Sequence, residues 1–352
     1  MLSRVASAIY WCGRYLERAD NTARFIDVNL HMSLDAPIAF SDQWEPLVAI
    51  TGNREAFSER YTEASRDNVL QFLTHDRENP SSIVSCLNRA RENARTTREV
   101  ISSEMWEQIN RYYLMVSNRG SAQLRSSRDA FTFYSEVKLL SNLIAGVADN
   151  TMSHDDGWHF FRLGKMIERA DSTSRLLDVK YFLLLPSVEG VGGPVDEMQW
   201  TMVLGSASAL EMYRKRFGQV APIDVVDFLL LDANFPRSVL FCLVHADDSL
   251  RDITGSPPGA YRNRAEQWLG LLKAELAYAS VADIIASGLH EFLDGLQGKL
   301  NKVGFAIGDA FFNVQDITPV VVPGPSNDRP EGVARSDVLS GHQSQRGAGR
   351  YR

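Results

Sequence analysis

The 352-residue chain is short of the groups that usually mark chemistry. It has three cysteines (Cys12, Cys86 and Cys242), with no CxxC and no even framework, which suits small buried side chains in a reducing compartment better than disulfides or zinc. The seven histidines are scattered; His154 and His159 come nearest each other but miss i,i+4 spacing, so no metal is expected. Glu-x-x-His is missing, which argues against a ferritin-like di-iron bundle. HExxH, Walker-type loops and GxGxxG are missing too, as is a nucleophile-elbow context, so no cofactor is expected. No apolar run approaches the roughly 18 residues that span a bilayer. The net charge of −7 disfavours nucleic acid, whose phosphates reward clustered Lys and Arg. No convincing alternating strand pattern occurs.

What the chain does have is a repeat. Gly13–Arg24 (GRYLERADNTAR) and Gly164–Arg175 (GKMIERADSTSR) share seven of twelve residues, and Asp27–Val28 continues the match to Asp178–Val179. A second segment, residues 69–87, lies over residues 225–243 and matches at Val, Phe, Leu, Asp, Pro, Ser, Cys and Leu; Arg95 then falls on Arg251. Two motifs in the same order indicate a duplication, with repeat 1 over about 1–150 and repeat 2 over about 152–317. Val5, Ala8, Leu16, Ala19, Ala23, Ile26 and Leu30 gather on one side at 100° per residue, a helical period. The chain therefore reads as all-α, a helical bundle of two pseudo-symmetric repeats sharing one core.

NPSS (79–82) reads as an N-cap followed by Pro at the first helical position, with a long helix running on through Trp106. Arg119–Arg128 reads as a basic loop, and residues 186–194 and 254–259 as breakers. The segment 318–352, rich in Pro, Gly, Ser and Arg, reads as a disordered tail. The first 18 residues resemble a weak signal peptide, but their counterpart recurs inside the chain. They are read as part of the fold, and a cytoplasmic location is expected.

On a wheel centred on Glu17, the residues Tyr10, Gly13, Asp20, Asn21, Arg24 and Val28 fall within about 60°. Arg18 lies about 100° away, so Glu17 and Arg18 are expected to meet different surroundings. Gly13 in mid-helix, repeated as Gly164, predicts a close backbone approach. Retention of Glu, Asp, Thr and Arg in both copies favours a buried network over a solvated face. Glu17 is expected to pair with Arg169 or Arg175, and Glu168 with Arg18 or Arg24; Asp20 and Asp171 sit at i,i+4 from Arg24 and Arg175. In the competing reading, Glu17 or Glu168 is a general base, and Arg24, Arg175, Arg95 and Arg251 grip a carboxylate or phosphate. Cys86 and Cys242 are expected to be packing residues; Cys12 is the thiol to test for reactivity.

Over about residues 1–315, SRVASAIYWCGRYLERADNTAR, Glu17–Arg18, Glu168–Arg169 and the NPSS…C segment resemble the alpha-E family, helical domains of unknown function named for a Glu-Arg motif. On that basis residues 1–317 form the domain. The resemblance implies companionship with a circularly permuted ATP-grasp ligase and a transglutaminase-like protein in an amide-forming or peptide-modifying system, with a peptide as substrate. It supplies no catalytic residue. An accessory, binding role is the expectation, and an enzyme of amide-bond formation or hydrolysis the alternative.

Overall fold

Serine and asparagine start many of the helices. In the computed structural model, which describes residues 1–35, 44–120, 124, 126–183 and 193–313, the regular structure among those residues is helical throughout. The first half holds α1 (Ser3–Asp35), α2 (Glu45–Ile50), α3 (Arg54–Ser58), α4 (Arg66–Thr74), α5 (Ile83–Thr96), α6 (Ser103–Ser117) and α7 (Ser127–Thr151). The second holds α8 (Asp156–Leu183), α9 (Pro194–Ser206), α10 (Leu210–Phe217), α11 (Pro222–Leu230), α12 (Val239–Thr254), α13 (Arg264–Ala277), α14 (Val281–Ser287) and α15 (Leu289–Ile307), closed by a π turn at Gly308–Phe312. The hydroxyls of Ser82, Ser102 and Ser238 and the amide oxygen of Asn263 each accept a backbone N–H three residues on, satisfying donors that a helix leaves open.

The two long ERAD helices, α1 and α8, are the axis of the bundle and pack along each other. α5, α7 and α9 surround α1, while α12, α15 and α2 surround α8. The close approach expected at the repeated glycine is present and reciprocal. A Cβ on Gly13 would overlap the Phe161 carbonyl oxygen, and one on Gly164 would overlap the Tyr10 carbonyl oxygen. Only glycine lets the two backbones meet there. The opposite side of α1 is aliphatic and faces α5 at Cys12, whose Sγ lies 3.5 Å from the Ala90 carbonyl oxygen. Among the described residues no helix is long and apolar enough to cross a membrane.

The segment 79–82 differs from its sequence reading. Ser82, not Asn79, caps α5; Asn79 instead turns its side chain to the Phe72 carbonyl and the Ser81 N–H, holding the loop. The long helix expected through Trp106 is two helices, because Ser102 begins a new one. The breaker at 254–259 lies between α12 and α13, with Gly255 left-handed at φ 66°. Most of the 186–194 breaker, part of the 119–128 loop and all of the 318–352 tail lie outside the described residues.

Candidate functional site: the joint between the ERAD helices

Each ERAD glutamate is held by arginines of the other helix. Arg169 donates Nε and Nη2 to the two oxygens of Glu17, both at 2.7 Å, in a bidentate fork. Arg18 reciprocates, donating Nε to Glu168 Oε1 at 2.6 Å and Nη2 to Oε2 at 3.0 Å. Arg14 adds its Nε to Glu168 Oε2 at 2.7 Å. Glu17 and Arg18 thus both address α8 rather than different surroundings, because the two helices lie close enough for residues on either flank of the contact to reach across.

Both glutamates are almost fully buried. Burial pushes a carboxylic acid toward its neutral form, but the surrounding guanidiniums reverse this. At Glu168 burial is outweighed by Arg18 and Arg14, and the pKa falls to about 2. At Glu17 burial is outweighed by Arg169 and Arg237, and the carboxyl lies well below the usual range. Both are carboxylates at any physiological pH. Lys165, one turn before Arg169, is brought down to about 8 by burial and by the Arg169 charge.

Around this core the network spreads along α1. Arg237, just ahead of α12, donates Nη1 to Glu17 at 3.2 Å and to Asn21 at 2.6 Å, and Nη2 to Asp20 at 2.5 Å. Arg24 donates Nε to Asp20 at 2.8 Å and its two Nη groups to Ser208 and Asn142, tying α1 to α7 and to the turn before α10. Arg169 Nη1 and Thr173 Oγ1 hold the carbonyls of Pro236 and Arg237. Asp27 accepts from Lys138 of α7, and its repeat counterpart Asp178 meets His290 of α15.

Residues 1–312 match the Alpha-E family, described as "a predicted alpha-helical domain with a conserved ER motif". The chain belongs to that family. The chain is also similar to an uncharacterized protein of Mycobacterium bovis and to one of Mycobacterium tuberculosis. Each is 26% identical over 322 residues, covering 85% of this chain and 36% of the relative. The chain thus spans about a third of the length of the curated relatives it matches. No solved structure matches it.

The Alpha-E joint gathers Glu17, Arg18, Asp20, Arg24, Glu168, Arg169, Asp171 and Arg175, but not the other two proposed arginines. Arg95 is more than half exposed and pairs with Glu92. Arg251 is spent on Asp247 and the carbonyls of Pro257 and Ala260. Arg175 reaches Asp171 at 2.8 Å, not Glu17. Sequence reasoning missed Arg14, Lys165 and Arg237. The basic pair Arg14/Lys165 follows each repeated glycine and was a usable signal; Arg237 had none, since its repeat counterpart is Ser81.

The three thiols are buried, and burial raises each to about 12. Among the described residues no group of three or more His, Cys, Asp or Glu is placed to hold a metal ion. A cavity of about 190 Å³ opens on one side of the joint, lined in part by Arg18, Asn21, Ser81, Glu168, Asp171 and Arg175.

Proposed function

We propose that this Alpha-E domain is a non-catalytic helical binding module serving an ATP-grasp amide ligase, in a system that also holds a transglutaminase-like protein and a peptide substrate. One observation carries the reading: both oxygens of each ERAD glutamate are engaged by arginines. Each accepts three guanidinium hydrogen bonds and is held as a carboxylate. A general base needs a pKa near the working pH, and the arginines around both glutamates hold their carboxyls well below it. Their chemistry suits a brace that holds two helices at fixed spacing while other surfaces bind.

The identity of the ligase and transglutaminase-like partners comes from the family resemblance. The greater length of the mycobacterial relatives supports a domain that works beside other domains. We further infer that residues 1–150 and 152–317 are copies of one unit and that the protein acts in the cytoplasm. Support for the duplication lies in the order of elements, since α11, α12 and α13 follow α8 as α4, α5 and α6 follow α1.

The test is co-purification of the full chain with a circularly permuted ATP-grasp protein encoded beside it. Retention at stoichiometric levels is expected, and no retention with both proteins folded overturns the reading. The cavity favours a second reading, an enzyme of amide-bond formation or hydrolysis. Turnover of a peptide by this chain alone, lost in Glu17→Gln, would put that reading first.

A further inference from the structure

The joint is reciprocal at its centre and unequal at its edges. Aligning the two matched segments in sequence sets Ser81 opposite Arg237, between paired prolines (Pro80, Pro236) and paired serines (Ser82, Ser238). The Arg237 guanidinium fills the space beside Glu17, Asp20 and Asn21. Beside Glu168 and Asp171, Ser81 supplies only a hydroxymethyl group, and the 190 Å³ cavity occupies the difference. Engineered cavities of about 150 Å³ admit benzene, so this one has room for a ligand of amino-acid size.

The groups around it are short of an acceptor. Arg175 spends Nε on Asp171, and neither of its Nη groups donates a hydrogen bond among the described residues. Arg18 Nη1 likewise donates none, whereas its counterpart Arg169 Nη1 is spent on Pro236. Asn21 lines the cavity and is 4% exposed; its Oδ1 is taken by Arg237, and its Nδ2 is buried without a partner. Two guanidiniums (Arg18, Arg175) and two carboxylates (Glu168, Asp171) line the cavity, and Arg14 meets Glu168 from outside the lining. A cation in the manner of Arg237 finds little here. Glu168 already accepts three hydrogen bonds, Arg14 having taken the role that Arg237 plays at Glu17, and Asp171 Oδ1 is the one acceptor left without a partner. The unspent guanidinium donors suit an anion, and two fixed carboxylates in the wall penalise a dianion such as phosphate more than a monoanion.

We propose that this cavity binds the carboxylate of an amino acid or of a peptide C-terminus, gripped by the free Nη groups of Arg175 and Arg18 and by the Asn21 amide. Planar guanidinium donors suit a planar carboxylate. The proposal goes beyond the binding-module reading and stands on the cavity alone; failure to bind a ligase leaves it intact, and its own failure leaves that partnership intact.

Ligand-observed saturation-transfer NMR on the full chain, at millimolar ligand, tests it. The probes are N-acetylalanine (carboxylate only), N-acetylalaninamide (neutral), alaninamide (cation only), free alanine and inorganic phosphate. N-acetylalanine or alanine should bind, the tighter of the two identifying a peptide end or a free amino acid as the source. Arg175→Gln should weaken that binding at least about tenfold, the worth of one charge-assisted hydrogen bond. Its fold should survive, because Arg175 is about a third exposed and bonded only within its own helix. Ser81→Leu, which fills the cavity, should do the same. Preferential binding of alaninamide or phosphate, equal binding of the neutral amide, no binding of either carboxylate, or wild-type affinity in folded Arg175→Gln would each overturn the proposal.

Discussion

Glu168 is a carboxylate that would be costly to bury alone and is stable only in company. Its proton affinity falls from the ordinary 4.5 to about 2 on folding, and that of Glu17 falls in the same direction. A depressed folded-state pKa contributes stability that is complete above about pH 4.5 and is lost as pH falls toward 2. The unfolding midpoint should therefore be flat from pH 7 to about 5 and drop steeply below about 4.5. Glu168→Gln should flatten part of that drop, and an undiminished slope in the variant would remove Glu168 from the account. The thiols make a second residue-scale prediction. Buried and raised to about 12, Cys12, Cys86 and Cys242 should react with a disulfide reagent only as fast as the chain opens, and all three at once in denaturant. Rapid labelling of Cys12 in the native protein would contradict its packing against α5.

Helices α1 and α8 meet backbone to backbone, and two glycines permit it. Gly13→Ala and Gly164→Ala each drive a methyl into a main-chain carbonyl of the facing helix, where no side chain can rotate away. Each should cost more than the roughly 1–3 kcal/mol typical of an overpacked core. Gly146 of α7 and Gly295 of α15 have open space where a Cβ would sit, so alanine there should stabilise by up to about 1 kcal/mol. Urea midpoints of the four variants check the contrast, and same-signed shifts would deny the close contact. This contact was legible in the sequence because a mid-helix glycine repeated in both copies is hard to explain otherwise. The start of α5 was less so: NPSS carries several capping signals, and the competition was settled by Asn79 bonding back to α4, a tertiary contact. Arg237 was invisible to a comparison of repeats because the repeats differ there.

At the scale of the molecule, the ERAD motif is a joint whose reciprocal forks tie the first half of the chain to the second. The helical class and the pairing of Glu with Arg across copies were readable from period and repetition. The cavity was not, because it arises from one loop position where the halves disagree. The described residues up to 313 pack as one unit, so a broken joint should loosen all of it. The most direct measurement is urea unfolding of the full chain carrying Glu17→Ala, followed by far- and near-ultraviolet circular dichroism together. Removing Glu17 strands the Arg169 charge in a buried site and leaves Arg237 with the Asp20 carboxylate alone, which costs about 3–5 kcal/mol, a large share of the 5–15 kcal/mol typical of a folded protein. The account predicts that loss, with secondary and tertiary signals falling together at a lower urea concentration. A variant that unfolds at the wild-type midpoint would contradict it, and would return the ERAD helices to the role of a wet catalytic pocket or an ordinary solvated face.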